Sequence, residues 1–240
     1  MYPKVIVVLP AYNAESTLEQ TVADISRDLA HEIILVDDFS KDETIKLAHE
    51  LKLTIYRHFQ NLGYGANQKT CYHLALEKGA DIIVMLHPDY QYDPKLIKYF
   101  VDFIKDGYFD VMLGSRVRSR TEAIAGGMPK YKYYANRILT LIENIASGQN
   151  LTEWHTGMRA YKREVLQSVD YNKFSNDFVF DSQMLFAIVE KGFKIGEIPV
   201  PVRYLSQSSS INWLRSIRYG LATLGVALGF FLKQISKKRG

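Results

Sequence analysis

Four short apolar runs, at residues 4–9, 33–36, 53–56 and 81–86, alternate with segments of helical periodicity, and this alternation limits the fold more than any other feature. The β-branched run at 4–9 stops at Pro10 and reads as a buried strand. A turn follows at 10–13, where Asn13 is placed to cap a helix. In that helix Leu18, Val22, Ile25 and Leu29 fall at i, i+4, i+7 and i+11, which is one apolar face. The strand at 33–36 runs into Asp37-Asp38-Phe39-Ser40-Lys41-Asp42, too polar to continue a buried sheet. A helix with Ile45, Leu47, Ala48 and Leu51 on its apolar side comes next, then the strand at 53–56. A glycine-bearing loop at 61–67 opens a helix that runs to about Lys78, and the strand at 81–86 closes the series. Such alternation predicts an α/β fold with a parallel, doubly wound sheet.

Ligands of such sheets bind beyond the carboxyl ends of the strands. That rule brings Pro10, Tyr12, Asp37-Asp38, the loop from Asn61 through Gly63, and the stretch His87 to Gln91 onto one rim. The second half predicts helices at 95–105, 131–146 and 181–191. Between them it predicts strands at 110–114 and 158–161, a loop at 118–128, and an extended edge at 194–203 broken by Pro199 and Pro201. A polar linker at 206–210 precedes a helix at 212–234, which divides the chain into a domain at 1–205 and a helical extension at 206–240.

A net charge of +4 is too mild to argue for nucleic acid. The single cysteine, Cys71, excludes an internal disulfide framework and reads as a small buried apolar residue. The apolar run at 5–9 is too short for a secretory signal, so a cytoplasmic location is the expectation.

The rim residues suit a nucleoside diphosphate. Asp38, with Asp37, offers acceptors to a base or ribose, and Tyr12 offers a stacking face. Asp89 and Gln91 offer oxygen ligands to Mg²⁺ or Mn²⁺. Arg116 offers a planar charge matched to phosphate. Read alone, Asp37-Asp38 fits a helix-capping turn as well, and Gly63 and Gly65 fit turn geometry. The chain contains neither G-x-G-x-x-G after the first strand nor G-x-x-x-x-G-K-[ST], which argues against nicotinamide or flavin enzymes and P-loop NTPases. A sugar-1-phosphate nucleotidyltransferase is disfavoured because no glycine-rich G-x-G-x-R-type loop follows the first strand.

As a set, the motifs at 8–13, 35–44, Asn61-x-Gly63-x-Gly65, His87-Pro88-Asp89, Gly114-Ser115-Arg116 and 156–161 resemble family 2 glycosyltransferases, closest to the dolichyl- and polyprenyl-phosphate sugar synthases. The resemblance implies a GT-A fold: a Rossmann-like, mostly parallel sheet with flanking helices. It also implies a nucleoside-diphosphate sugar donor, a divalent metal and inversion at the anomeric carbon. Pro10, Tyr12 and Asp38 fall where the family holds the nucleobase, with Asp37 beside them. Asp89 matches the second carboxylate of the family's Asp-x-Asp, and Gln91 the glutamine after it. Arg116 matches the arginine after the glycine–serine strand end. Lys132, Asn136 and Arg203 lie near positions that hold an acceptor phosphate, and Asp181 lies where related transferases keep an acidic residue able to serve as base. The first Asp of Asp-x-Asp is His87 here. Three readings follow: His87 contacts ribose while Asp89 and Gln91 hold the metal, the site has shifted towards Mn²⁺, or the chain is a non-catalytic binder of sugar nucleotides.

The acceptor is a polyprenyl phosphate or a saccharide hydroxyl, and only the hydroxyl needs a base. Residues 219–232 are uncharged for 14 residues and flanked by Arg and Lys. That is shorter than the roughly 20 apolar residues of a span and predicts an amphipathic helix lying on an anionic membrane surface. A core or dimer helix with a solvated basic end, and hence a homo-oligomer, fits the same pattern.

Overall fold

A computed structural model describes residues 2–116, 120–125, 128–201, 203 and 213–239. The first half follows the predicted alternation: β1 (Val5–Ala11), α1 (Glu15–Ala23), β2 (Glu32–Asp37), α2 (Thr44–Glu50), β3 (Thr54–Arg57), α3 (Tyr64–Glu77) and β4 (Ile82–Leu86). The second half supplies α4 (Ile97–Lys105), β5 (Val111–Ser115), α5 (Arg120–Ala125), α6 (Lys130–Ser147), β6 (Met158–Lys162), α7 (Arg163–Ser168), α8 (Phe180–Glu190), β7 (Ile195–Pro199) and α9 (Trp213–Arg239). The strands form one seven-stranded sheet in the order β3-β2-β1-β4-β6-β5-β7. All pairings are parallel except those of β6, which runs antiparallel to both β4 and β5. Strand β7 is the expected edge; Pro199 ends it and Pro201 lies beyond it, so neither interrupts the ladder inside the sheet.

The runs read as continuous apolar strands because both faces of the sheet are covered. Along β1, Ile6 and Val8 enter a core with Cys71, Tyr72 and Ala75 of α3, and with Phe180, Met184 and Leu185 of α8. Val5, Val7 and Leu9 enter the opposite core with Leu18 and Val22 of α1, and with Phe100, Val101 and Ile104 of α4. Cys71 is buried and unbonded to sulfur, as expected.

Some local expectations give way. Asn13 does not cap α1. Ala14 stands at that position, while Asn13 adopts φ 51° and its Oδ1 accepts the Lys41 N–H at 2.9 Å. Its side chain thus ties the loop after β1 to the loop after β2. Helix α1 ends at Ala23, yet Ile25 beyond it stays buried at 3% exposure, so the periodicity marked the core face and overran the helix. The segment read as a loop at 118–128 contains α5. The linker at 206–210, and the boundary near 205, lie outside the described residues. Helix α9 packs on α6 and α8, and its Ala227 and Phe230 join the α3–α8 core.

Candidate active site

Strand ends β1, β2 and β4 carry the first half of the site to one rim, as their parallel register requires. Ala11 pairs with Asp37, and Val8 with Met85. Tyr12 stands 50% exposed just past Pro10 and the end of β1. Asp37 and Asp38 are both buried. Asp38 Oδ1 accepts from His58 Nδ1 and from the Leu62 N–H, both at 2.8 Å, and Oδ2 accepts from the Gly63 N–H at 2.9 Å. Asn61 Nδ2 donates to the Asp38 carbonyl at 3.2 Å. His58, Asn61, Leu62 and Gly63 are therefore all fastened to Asp38, and the five residues form one unit. Gly63 is required twice over: its φ is +98°, and a Cβ there would lie 2.6 Å from the Asn176 carbonyl oxygen. Asp37 Oδ2 accepts from the Ser40 N–H at 3.0 Å and meets Arg57 Nε at 3.3 Å, while its buried Oδ1 lacks a hydrogen-bond partner. An orphaned buried acceptor of this kind costs about 1–3 kcal/mol.

His87 leaves β4 into a network that sequence reasoning missed. Tyr64 Oη donates to Asp181 Oδ2 at 2.8 Å and lies 3.1 Å from His87 Nε2. A hydroxyl has one proton, and a carboxylate only accepts, so the Tyr64 proton goes to Asp181 and His87 Nε2 must donate to Tyr64. Burial lowers the pKa of His87 and, with the Asp181 charge, holds Tyr64 well above the ordinary phenol range. The imidazole is thus neutral and protonated at Nε2. Its other nitrogen, Nδ1, faces Gly157, where a Cβ would lie 2.5 Å away. Neither nitrogen is presented as a metal ligand. Gly157→Ala is expected to push His87 out of this packing, lowering stability by about 1–3 kcal/mol. A thermal midpoint equal to wild type would contradict the packing described.

Asp181, the candidate base, is engaged from three sides. Besides Tyr64, Gln68 Nε2 donates to Oδ1 at 3.0 Å, and the buried Arg159 guanidinium lies 3.1 Å from Oδ2. Arg159 is held in turn by the carbonyls of Thr156 at 2.8 Å and Trp154 at 2.9 Å. In this arrangement Asp181 acts as an anchor that keeps Tyr64 and Arg159 in place.

Asp89 and Gln91 sit in the turn between β4 and α4. Asp89 Oδ1 accepts the Gln91 N–H at 3.1 Å. Burial raises the Asp89 pKa, against weaker opposing effects of His87, the Gln91 N–H and Arg116, so its ionised form is under-compensated by the protein. Among the described residues, no group of three or more His, Cys, Asp or Glu side chains is placed to hold a metal. An all-protein cage is thus lacking there, while one under-compensated carboxylate beside a carboxamide suits a hard cation that shares its coordination with phosphate oxygens. Arg203 is drawn to the same turn. Its N–H donates to the Gln91 carbonyl at 3.1 Å, its guanidinium lies over the Tyr90 ring at 4.6 Å, and it reaches Asp93 at 3.4 Å.

Arg116 and Asn136 come together around a residue the sequence reading overlooked, Glu153. This carboxylate is fully buried. It accepts from the Arg116 N–H at 2.6 Å, from Arg116 Nε at 2.8 Å and from Asn136 Nδ2 at 3.1 Å, and it also pairs with Arg116 Nη2. Arg116 Nη2 donates further to the His155 carbonyl. Lys132, one turn before Asn136 on α6, has its pKa lowered by burial and then by Arg116, which places two cations in one electrostatic neighbourhood. The signal for Glu153 was its place before Trp154-His155 and the 156–161 motif. A lone glutamate in a polar stretch carries no periodicity to single it out.

A sheet of this topology, with acidic and cationic groups at its carboxyl rim, is a GT-A fold. Solved structures of glucosyl-3-phosphoglycerate synthase from Mycobacterium tuberculosis share it: one matches with TM-score 0.74 at 19% identity, covering 95% of this chain and 80% of that one. The same enzyme with Mn²⁺, UDP and glucosyl-3-phosphoglycerate matches with TM-score 0.70 at 19% identity. The chain belongs to glycosyl transferase family 2, whose family model matches residues 6–170. Among curated relatives, the UDP-N-acetylglucosamine–dolichyl-phosphate N-acetylglucosaminyltransferase of Methanococcus voltae is 28% identical over 85% of this chain and 87% of its own length. The polyprenol monophosphomannose synthase of Mycolicibacterium smegmatis is 25% identical over 82% and 76%, respectively. The chain is a glycosyltransferase that resembles the polyprenyl-phosphate sugar synthases.

Proposed function

We propose that this enzyme transfers a sugar, with inversion, from a nucleoside-diphosphate sugar to a polyprenyl phosphate at a membrane surface. One contrast carries the choice of acceptor. Lys132 and Arg203 add cations beside Arg116 and the Asp89–Gln91 turn, whereas the candidate base Asp181 already accepts from Tyr64, Gln68 and Arg159. A phosphate acceptor is anionic at neutral pH and needs cations and no base; a sugar hydroxyl needs the reverse. The names of the relatives from Methanococcus voltae and Mycolicibacterium smegmatis support the same acceptor class.

In this mechanism an acceptor phosphate oxygen attacks the anomeric carbon as the bond to the donor's β-phosphate oxygen breaks, and the bonding electrons leave on the diphosphate. Asp89 and Gln91 would hold the Mg²⁺ or Mn²⁺, which would supply Lewis-acid neutralisation of that leaving group. Arg116, gripped by Glu153 and the His155 carbonyl through Nε and Nη2, brings a preorganised positive charge to the leaving group. Lys132, Asn136 and Arg203 hold the acceptor phosphate. Tyr12 stacks on the base while the Asp37–Asp38 unit and Pro10 shape its pocket. Tyr64 and Asp181 fix His87 beneath the sugar. The test is a transfer assay with Mn²⁺, a panel of nucleotide sugars, and either a polyprenyl phosphate or saccharides. Product from saccharides alone would transfer the assignment to a hydroxyl acceptor.

The membrane reading rests on two helices. On α9, Ile217, Leu221, Leu224, Leu228, Phe231 and Leu232 are exposed at helical spacing, and on α6 so are Tyr134, Ile138, Leu141 and Ile145. By length and composition Ser216–Lys237 is long and apolar enough to cross a bilayer. Its other face packs on the enzyme, where Lys233 and Lys237 both pair with Glu190 of α8 at 2.7 Å, which favours lying on the surface over crossing. Substituting Glu for both Leu221 and Leu228 is expected to lower binding to anionic liposomes by about tenfold or more. Undiminished flotation would remove this role from α9. The cytoplasmic face of the membrane is the side we assign.

A further inference from the structure

Helix α9 also enters the active-site scaffold through one side chain, Tyr219. Its hydroxyl is hydrogen-bonded to His155 Nδ1, and the two rings meet edge to face with centroids 5.4 Å apart. On the far side of that imidazole, Nε2 lies 3.1 Å from Glu143 Oε2 of α6, close enough for charge contact although not aligned as a hydrogen bond. Glu143 is itself fixed by Ser182 Oγ of α8 at 2.7 Å. His155 is thus held between α9 and α6, with α8 bracing Glu143. Its backbone carbonyl in turn receives Arg116 Nη2. Tyr219 also packs on Phe178, with centroids 6.4 Å apart, and Phe178 stacks on Tyr64 at 4.7 Å, the residue that holds His87 and Asp181. From one side chain, two contact chains reach the two halves of the site.

We infer that Tyr219 is a positioning residue for Arg116, so that the docked C-terminal helix is part of the catalytic apparatus as well as a membrane contact. This rests on the reading of Arg116 as the group that meets the leaving diphosphate. The physical basis is preorganisation. A guanidinium stabilises charge that develops in the transition state only if it is already aimed, and a displacement of about 1 Å can cost up to a hundredfold. Glu153 grips the Nε edge of Arg116, while the His155 carbonyl sets the rotation of Nη2. Anchoring the His155 side chain at both ring nitrogens restrains the backbone segment that carries this carbonyl.

The test compares full-length wild type with Tyr219→Phe, which keeps the ring against His155 and Phe178 and removes only the hydroxyl. Transfer is measured in detergent with a short-chain polyprenyl phosphate, Mn²⁺ and UDP-N-acetylglucosamine, UDP-glucose or GDP-mannose, so that membrane docking does not enter. We expect kcat to fall about tenfold, with donor KM within about twofold and a thermal midpoint lowered by no more than the loss of one buried hydrogen bond accounts for. In parallel, the Arg116 Nε–H resonance of arginine-labelled protein, assigned through Arg116→Lys, is expected to shift and exchange faster with water in Tyr219→Phe. Wild-type kcat together with an unmoved Arg116 resonance overturns the inference. A lower kcat matched by an equal loss of thermal stability, with the resonance unmoved, also overturns it. If wild type transfers no sugar, the functional reading fails, and the resonance alone decides whether Tyr219 orients Arg116.

Discussion

Asp89→Ala is expected to lower sugar transfer by about a thousandfold or more, in keeping with losing a Lewis acid at the leaving group. The carboxylate is the one acidic side chain in the turn beside Gln91 that is raised in pKa by burial, so the apo protein keeps it at an energetic disadvantage that a cation relieves. The sign of the pH dependence follows. A carboxyl whose folded pKa lies above its unfolded value stabilises the fold while protonated, and that stability is lost as pH rises through the folded pKa. At neutral pH, Asp89→Asn should therefore leave the metal-free protein at least as stable as wild type while abolishing the rise in thermal midpoint that Mn²⁺ gives. In wild type that rise should fade as pH drops through the elevated pKa, above the 3.8 of an ordinary aspartate. Turnover near wild type in Asp89→Ala, or a Mn²⁺-dependent rise that persists in Asp89→Asn, would remove Asp89 from the metal site.

Arg116→Ala is expected to cost about a hundred- to a thousandfold in kcat. It also strips a fully buried carboxylate, Glu153, of its cation, so stability should fall by about 3 kcal/mol or more. The two losses are separable. Arg116→Met combined with Glu153→Gln removes both charges, and it should regain most of the stability while leaving turnover as low as in Arg116→Ala. Arg116→Lys should not restore activity, because an ammonium cannot reproduce the fork that meets Glu153 through Nε and reaches the His155 carbonyl through Nη2. Recovery of kcat in the double variant would show that Arg116 supports the fold alone.

The sheet was legible because strand β-branching, helical periodicity and the carboxyl-end rule all act locally or follow from handedness. The rim residues Tyr12, Asp38, Asp89 and Arg116 could be picked from their positions after strands. The direction of β6 was not legible, since a five-residue strand, Met158–Lys162, carries nothing in its sequence that marks which way it points. The buried partners were equally hidden. Glu153, Arg159 and Tyr64 owe their importance to contacts across long sequence separations, such as the 117 residues between Tyr64 and Asp181. Asn13 shows the opposite failure: a residue suited to capping was diverted to Lys41 because a neighbouring loop needed its oxygen more.

The fit of His87 against Gly157 limits substitution at residue 87. A histidine at this position fills space that only a glycine leaves open, and its Nε2–H occupies the Tyr64 oxygen. Restoring an aspartate there would leave a gap beside Gly157 and a tyrosine oxygen without its donor, so it would not simply return a second acidic ligand. The three positions are epistatic. An aspartate at residue 87 is therefore expected to be tolerated only together with changes at residues 64 and 157.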